Sequence, residues 1–127
     1  MSAPRWLTER PIAHRGLHDS ASGIFENTLS AADAATTGGF GIECHVQISS
    51  DGEAMVFHDH TLDRLTAAKG PVRDRSAAEL ARFAIGGTQD GIPTLTEFLD
   101  RIGERTPVVI EIKSRFDCDD RLARRTV

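Results

Sequence analysis

Along the chain, apolar positions recur every second residue in some stretches and every third or fourth in others, and the change of period divides the sequence into elements. "PIAHR" at 11–15 reads as a short apolar strand stopped by Gly16, and the "GLHDSASGIF" that follows has the composition of a loop. A helix is expected to start near Asn27, a favourable N-cap, and to run through "NTLSAADAATTGG". Its apolar stripe, Leu29, Ala32 and Ala35, is weak, but Gly38-Gly39 provides a stop. In "GIECHVQIS", Ile42, Cys44, Val46 and Ile48 fall on one face of a strand and Glu43, His45 and Gln47 on the other. Asp51-Gly52 is a tight-turn signal, after which "EAMVFHD" returns as an extended segment with Val56 and His58 on one face and Met55 and Phe57 on the other.

From Thr61 to Gly91 the periodicity fades, apart from a capping box, Ser76 with Glu79, ahead of Leu80 and Phe83. A second capping box, Thr94 with Glu97, opens a helix in which Leu95, Phe98, Leu99 and Ile102 follow at helical spacing until Gly103. "PVVIEIKS" is a strand of buried type, with Val109, Glu111 and Lys113 on one face and Val108, Ile110 and Ile112 on the other, and "DDRLARRTV" begins another helix. Strand, helix, strand, excursion, helix, strand, helix is the order of a parallel α/β fold, in which catalytic groups collect at the C-terminal ends of the strands.

Composition adds exclusions. At 127 residues the chain suits one ordinary domain, and is short for an eight-stranded α/β barrel, which takes roughly 250. Lys and Arg number 15 against 19 Asp and Glu, an acidic balance that argues against a nucleic-acid partner. No window has the apolar run of a membrane span or a signal peptide, so the expectation is a cytoplasmic protein. Cys44 and Cys118 lie in different elements and are expected as free thiols rather than a disulfide.

Four strand-like segments each deliver a charged or titratable pair at their ends: His14 with Arg15, Glu43 with His45, His58 with Asp59, and Glu111 with Lys113. Burying an unpaired charge in a strand costs several kcal/mol, on the order of what a partner or a metal must offset. Carboxylates facing one another across neighbouring strands would repel unless a cation stood between them, and oxygen ligands suit a hard ion such as Mg²⁺ or Ca²⁺. His14 and His58 have the ordinary pKa range for acid–base work near neutrality, and Arg15 and Lys113 could hold a phosphate oxygen. Together they suggest metal-assisted cleavage of a phosphate ester. His18 and His60 are expected as solvated loop residues.

"AHRG", "ENTLSA", "GIECHVQISSDGEAMVFHD", "TLDRLT", "IPTLTEFLD" and "VVIEIKS", in this order and spacing from Pro11 to Ser114, resemble the glycerophosphodiester phosphodiesterase family. The resemblance implies hydrolysis of glycerophosphodiesters, a small-molecule substrate class, to glycerol 3-phosphate and an alcohol, with a divalent cation as cofactor. It implies the N-terminal portion of a TIM-type (β/α)8 barrel, here a single partial domain over 1–127, with residues 60–91 as a small insertion after the second strand. By the family's pattern His14 and His58 are the acid–base pair, Arg15, Asn27 and Lys113 line the phosphate, and Glu43, His45 and Glu111 stand at the metal.

One position departs from that pattern. Where the family has an acidic residue two positions after the first metal-ligand Glu, this chain has His45. An imidazole there removes a negative charge and favours Mn²⁺ or Zn²⁺ over Mg²⁺ or Ca²⁺. A zinc hydrolase using His14, His45 and His58 is a further alternative, and so is a non-catalytic half-barrel that binds phosphate or a partner chain without turnover. The length points to a truncated barrel, whose open strand edge would invite self-association.

Overall fold

A computed structural model describes residues 2–127. In chain order the elements are α1 (Arg5–Thr8), β1 (Ile12–Ala13), α2 (Leu29–Gly38), β2 (Gly41–Ile48), β3 (Ala54–Val56), α3 (Ala77–Arg82), α4 (Leu95–Ile102), β4 (Val108–Ile112) and α5 (Arg121–Thr126). The one-turn helix α1 has no counterpart in the apolar pattern. Strand β2 is the axis of the sheet. It runs parallel to β1 through Ile12↔Gly41 and Ala13↔Ile42, and on its other edge parallel to β4 from Ile42↔Val108 to Val46↔Ile112. The expected parallel order holds for those three. β3 is antiparallel, folding back over the Asp51-Gly52 turn to pair Val46↔Val56 and Ile48↔Ala54 along the edge that β1 leaves free. The result is an open mixed sheet, a partial barrel.

Two cores form on opposite sides of this sheet. Ile42, Cys44 and Val46 of β2 pack with Ala32 and Ala35 of α2, Phe98 and Ile102 of α4, and Leu122 of α5. The second core joins Met55 and Phe57 to Leu62, Val72, Leu80, Ile85 and Ile92. The period-two alternation of "EAMVF" therefore feeds both, with Ala54 and Val56 in the first and Met55 and Phe57 in the second. Residues 60–91, weakly patterned in the sequence, are a lobe whose apolar side chains pack onto Met55 and Phe57, each wholly buried Leu or Ile contributing about 1.5–3 kcal/mol. Helix α3 and two short 3₁₀ turns, Val72–Asp74 and Ile85–Gly87, supply too few residues apiece to show a helical period.

Local chemistry sets the helix starts. Both capping boxes form, at Ser76/Glu79 and Thr94/Glu97. The cap of α2 is Thr28 rather than Asn27: the Thr28 hydroxyl accepts from the Ala31 amide at 3.1 Å, while Asn27, at φ 55°, turns its side chain toward β2. Asn tolerates the left-handed region better than most residues, so it can serve the strand while its neighbour serves the helix. At Gly16 (φ 78°) a Cβ would lie 2.7 Å from the Ala31 Cβ. That close approach presses the turn after β1 onto α2, holding His14 and Arg15 over the end of the sheet.

The expected burial of "PVVIEIKS" is only half met. Val108, Val109, Ile110 and Ile112 are half-buried and Glu111 is exposed, because among the described residues no strand pairs with the outer edge of β4. No helix among the described residues is long and apolar enough to cross a membrane.

Candidate active site

The charged pairs gather where the strands end. His14 and Arg15 follow β1, His58 and Asp59 follow β3, and His45 stands beside Glu111 as its register partner across the β2–β4 pair. The Arg15 amide donates to Glu43 Oε2 at 3.0 Å, tying the turn after β1 to β2. His45 lies at the centre, 2% exposed, its Nε2 3.1 Å from Glu43 Oε1 and 3.2 Å from Glu111 Oε2. The His14 and His58 rings approach it edge-on, with centroids 6.1 and 4.6 Å away. Burial lowers the His45 pKa, with Glu43 pulling in the opposite direction.

Asn27 supports this centre from below, its Oδ1 accepting from the His45 amide at 3.2 Å. Asn27 Nδ2, His45 Nδ1 and Arg15 Nε are buried without a partner. Buried polar atoms are seldom left so outside functional sites. Lys113 reaches Glu111 Oε1 at 2.8 Å, and this contact keeps the Glu111 carboxyl below its ordinary pKa. Cys44, between the two site residues of β2, faces the core, where burial pushes its thiol up to about 12; both cysteines are free, as expected.

On the other flank Arg15 donates through Nη1 to Glu26 Oε2 at 2.9 Å and meets His58 Nε2 through Nη2 at 3.0 Å. His58 Nδ1 lies 2.8 Å from Asp59 Oδ1, and Gln47 holds the His58 carbonyl at 2.8 Å. Arg64 binds both Asp59 and Glu26. Its hydrogen bonds hold Asp59 far below the usual carboxylate range. Burial pushes Glu26 upward, but bonds from Arg64 and Arg15 outweigh it and leave its pKa lowered. Sequence reasoning passed over Glu26 and Arg64, both in segments read as loop. The signal was their place inside the motifs "ENTLSA" and "TLDRLT", to which no role was attached at Glu26 or Arg64.

His14, Glu43 and His45 each offer a ligand atom, all within 4.8 Å of one another. Two imidazoles and a carboxylate suit a divalent cation of borderline character, so this donor set fits a metal. Glu111, expected among the ligands, has its oxygens engaged by Lys113 and His45. His58, expected as a third zinc ligand in one alternative, stands outside the group with both nitrogens occupied. His60, expected in solvent, is exposed yet approaches Gln47 Oε1 at 3.2 Å and borders a cavity of about 90 Å³ next to Lys113, with Arg73, Arg115 and Asp119.

A family model described as the glycerophosphoryl diester phosphodiesterase family matches residues 14–119. A glycerophosphodiester phosphodiesterase of Caldanaerobacter subterraneus is 40% identical across 81% of this chain and 44% of its own length, and one of Bacillus subtilis is 35% identical across 90% and 42%. Among solved structures, an Oleispira antarctica phosphodiesterase in complex with the product sn-glycerol-3-phosphate superposes with a TM-score of 0.82 at 30% identity, over 93% of this chain and 50% of that one. A glycerophosphodiester phosphodiesterase of Agrobacterium tumefaciens gives 0.74 at 35% identity, over 83% and 47%. The chain thus spans about half the length of the relatives it matches.

Proposed function

Because the chain belongs to the glycerophosphoryl diester phosphodiesterase family, we propose that its site hydrolyses glycerophosphodiesters to glycerol 3-phosphate and an alcohol. The observation that carries this reading is the convergence of His14, Arg15, Glu43, His45, His58, Glu111 and Lys113 at one end of the sheet, from four separate segments of the chain. Glycerol 3-phosphate in the Oleispira antarctica structure, whose chain superposes over nearly all of this one, supports the substrate class.

In this reading Arg15 and Lys113 draw the phosphodiester in by charge and hold its non-bridging oxygens. Hydrolysis takes a proton from the attacking hydroxyl, that of water or of the substrate's own glycerol, and gives one to the departing alkoxide. His58 suits the first task once an incoming phosphate draws Arg15 off its Nε2, the nitrogen that carries the lone pair. His14, exposed at the mouth of the site, is the proton donor. A divalent cation held by Glu43 and His45, next to His14, would polarise the phosphoryl oxygen as a Lewis acid. The imidazole at His45 favours Mn²⁺ or Zn²⁺ over Mg²⁺ or Ca²⁺ in that position. The cavity beside Lys113 gives room for one substituent of the diester.

The test is direct. The purified chain is incubated with glycerophosphocholine in chelator and then with Mg²⁺, Ca²⁺, Mn²⁺ or Zn²⁺, while glycerol 3-phosphate is followed. Product in Mn²⁺ or Zn²⁺ above the chelator baseline is expected. No metal-dependent product under any of the four ions would sink the hydrolase reading of this chain.

A further inference from the structure

Five side chains close a ring on the His58 side of the site. Arg15 bonds Glu26 and His58, His58 bonds Asp59, and Arg64 bonds Asp59 through Nε to Oδ2 at 2.8 Å and Nη2 to Oδ1 at 2.9 Å. The same Arg64 Nη2 reaches Glu26 Oε1, which completes the circuit. A guanidinium has five N–H donors and no acceptor, so the Arg15–His58 contact requires a bare Nε2. The imidazole proton then sits on Nδ1, where Asp59 accepts it. Two arginines face two carboxylates, so the ring is electrically balanced with His58 neutral.

Arg64 is the member that comes from the 60–91 lobe, and that lobe fixes its place. Leu62 and Leu65, on either side of it, are buried in the second core, so the backbone carrying Arg64 cannot shift without opening that core. The Gly86 amide also donates to the Leu65 carbonyl at 2.8 Å.

We infer that Arg64 is a positioning residue: by gripping both oxygens of Asp59 and one of Glu26, it fixes the Nδ1–H form of His58 and keeps Arg15 turned toward the site. The lobe is therefore part of the active-site apparatus rather than a peripheral insertion. The inference rests on the reading of His58 as a proton-transfer group. A fork-shaped cation is needed, since a lysine ammonium cannot offer Asp59 two parallel bonds while reaching Glu26.

Arg64→Ala and Arg64→Lys test it. In ¹⁵N-labelled protein, long-range ¹H–¹⁵N imidazole spectra of the parent should show His58 protonated on Nδ1 with Nε2 bare, and both variants should show loss of that single form. With glycerophosphocholine and metal, kcat should fall about 10- to 100-fold while KM stays within about twofold, the pattern of a lost orienting contact. Arg64→Lys should recover less than about a third of that loss. Retention of the Nδ1–H form in folded Arg64→Ala would overturn the inference, and so would parent-like kcat. Should Arg64→Ala fail to fold, Arg64→Gln keeps part of the aliphatic stem and is read in the same two ways. If the parent itself turns over no diester, the proposed function fails, while the spectra still decide the role of Arg64.

Discussion

His45→Asp is the sharpest perturbation of this molecule, because one substitution changes what occupies the space between two carboxylates. In the parent, His45 Nε2 lies 3.1 Å from Glu43 and 3.2 Å from Glu111. Removing one partner of a fully buried charge contact costs about 3–5 kcal/mol, and less where, as at Glu43 with 18% of its side chain in solvent, the partner still meets water. Glu111 is half exposed, with 52% of its side chain in solvent, so its share is small. Removing the imidazole should cost about 2–3 kcal/mol in chelator, with a third carboxylate adding repulsion. For a chain of 127 residues, a kcal/mol moves Tm by about 3–5 °C, so the variant should melt roughly 6–15 °C lower in chelator. The three-carboxylate site should then bind a hard cation. At a Mg²⁺ concentration of about 100 Kd the regained stability is about 2.7 kcal/mol, or roughly 8–13 °C. Thermal melts followed by circular dichroism in chelator, Mg²⁺, Ca²⁺ and Mn²⁺ measure both steps. The parent should respond to Mn²⁺ and hardly to Mg²⁺ or Ca²⁺. Equal Mg²⁺ shifts in parent and variant would remove His45 from the metal position.

Acid stability should fall as carboxylates in the ring are protonated. Glu26 is held below its ordinary 4.5 in the fold, so its contribution is fully present above about pH 4.5 and is lost as pH drops through the folded value. Glu26→Gln should lower the Tm plateau near neutrality and flatten the acid limb below about pH 4.5 relative to the parent; an unchanged acid slope would mean that the Arg15–Glu26–Arg64 contacts are not populated in solution. Thiol labelling separates the two cysteines, because Cys44 is buried with its thiol pushed up to about 12, whereas Cys118 is exposed. Iodoacetamide at pH 8 should modify Cys118 alone in native protein and both residues in denaturant, as read by peptide mass spectrometry, and native modification of Cys44 would mean the β2 core opens readily.

The parts of the site visible in the sequence are those whose chemistry violates a local pattern. Glu43, His45, Glu111 and Lys113 stand out because strands rarely spend positions on charge, and the period of two already places each pair on one face. The Thr94 helix and its capping box are equally local. Asn27 reads as the N-cap of its helix, but Thr28 caps the helix, and Asn27 holds the β2 backbone at His45. That choice depends on a left-handed backbone angle at Asn27, which no periodicity reports. Glu26 and Arg64 stand in the quoted motifs "ENTLSA" and "TLDRLT", but their pairing is not legible there, because they lie 38 residues apart in segments without regular structure, where charge is ordinarily solvated.

Local sequence therefore determined the strands, the capped helices and the Asp51-Gly52 turn, and which polar groups stand on which face, since those follow from side-chain period, capping and turn chemistry over a few neighbours. Only the tertiary structure decided which of those faces meet. It set His45 between Glu43 and Glu111, left His58 outside the His14–Glu43–His45 cluster, packed the 60–91 segment onto Met55 and Phe57, and closed the ring through Arg64. Each of these rests on contacts between residues distant along the chain, and such contacts are selected by packing the whole molecule rather than by any stretch of it.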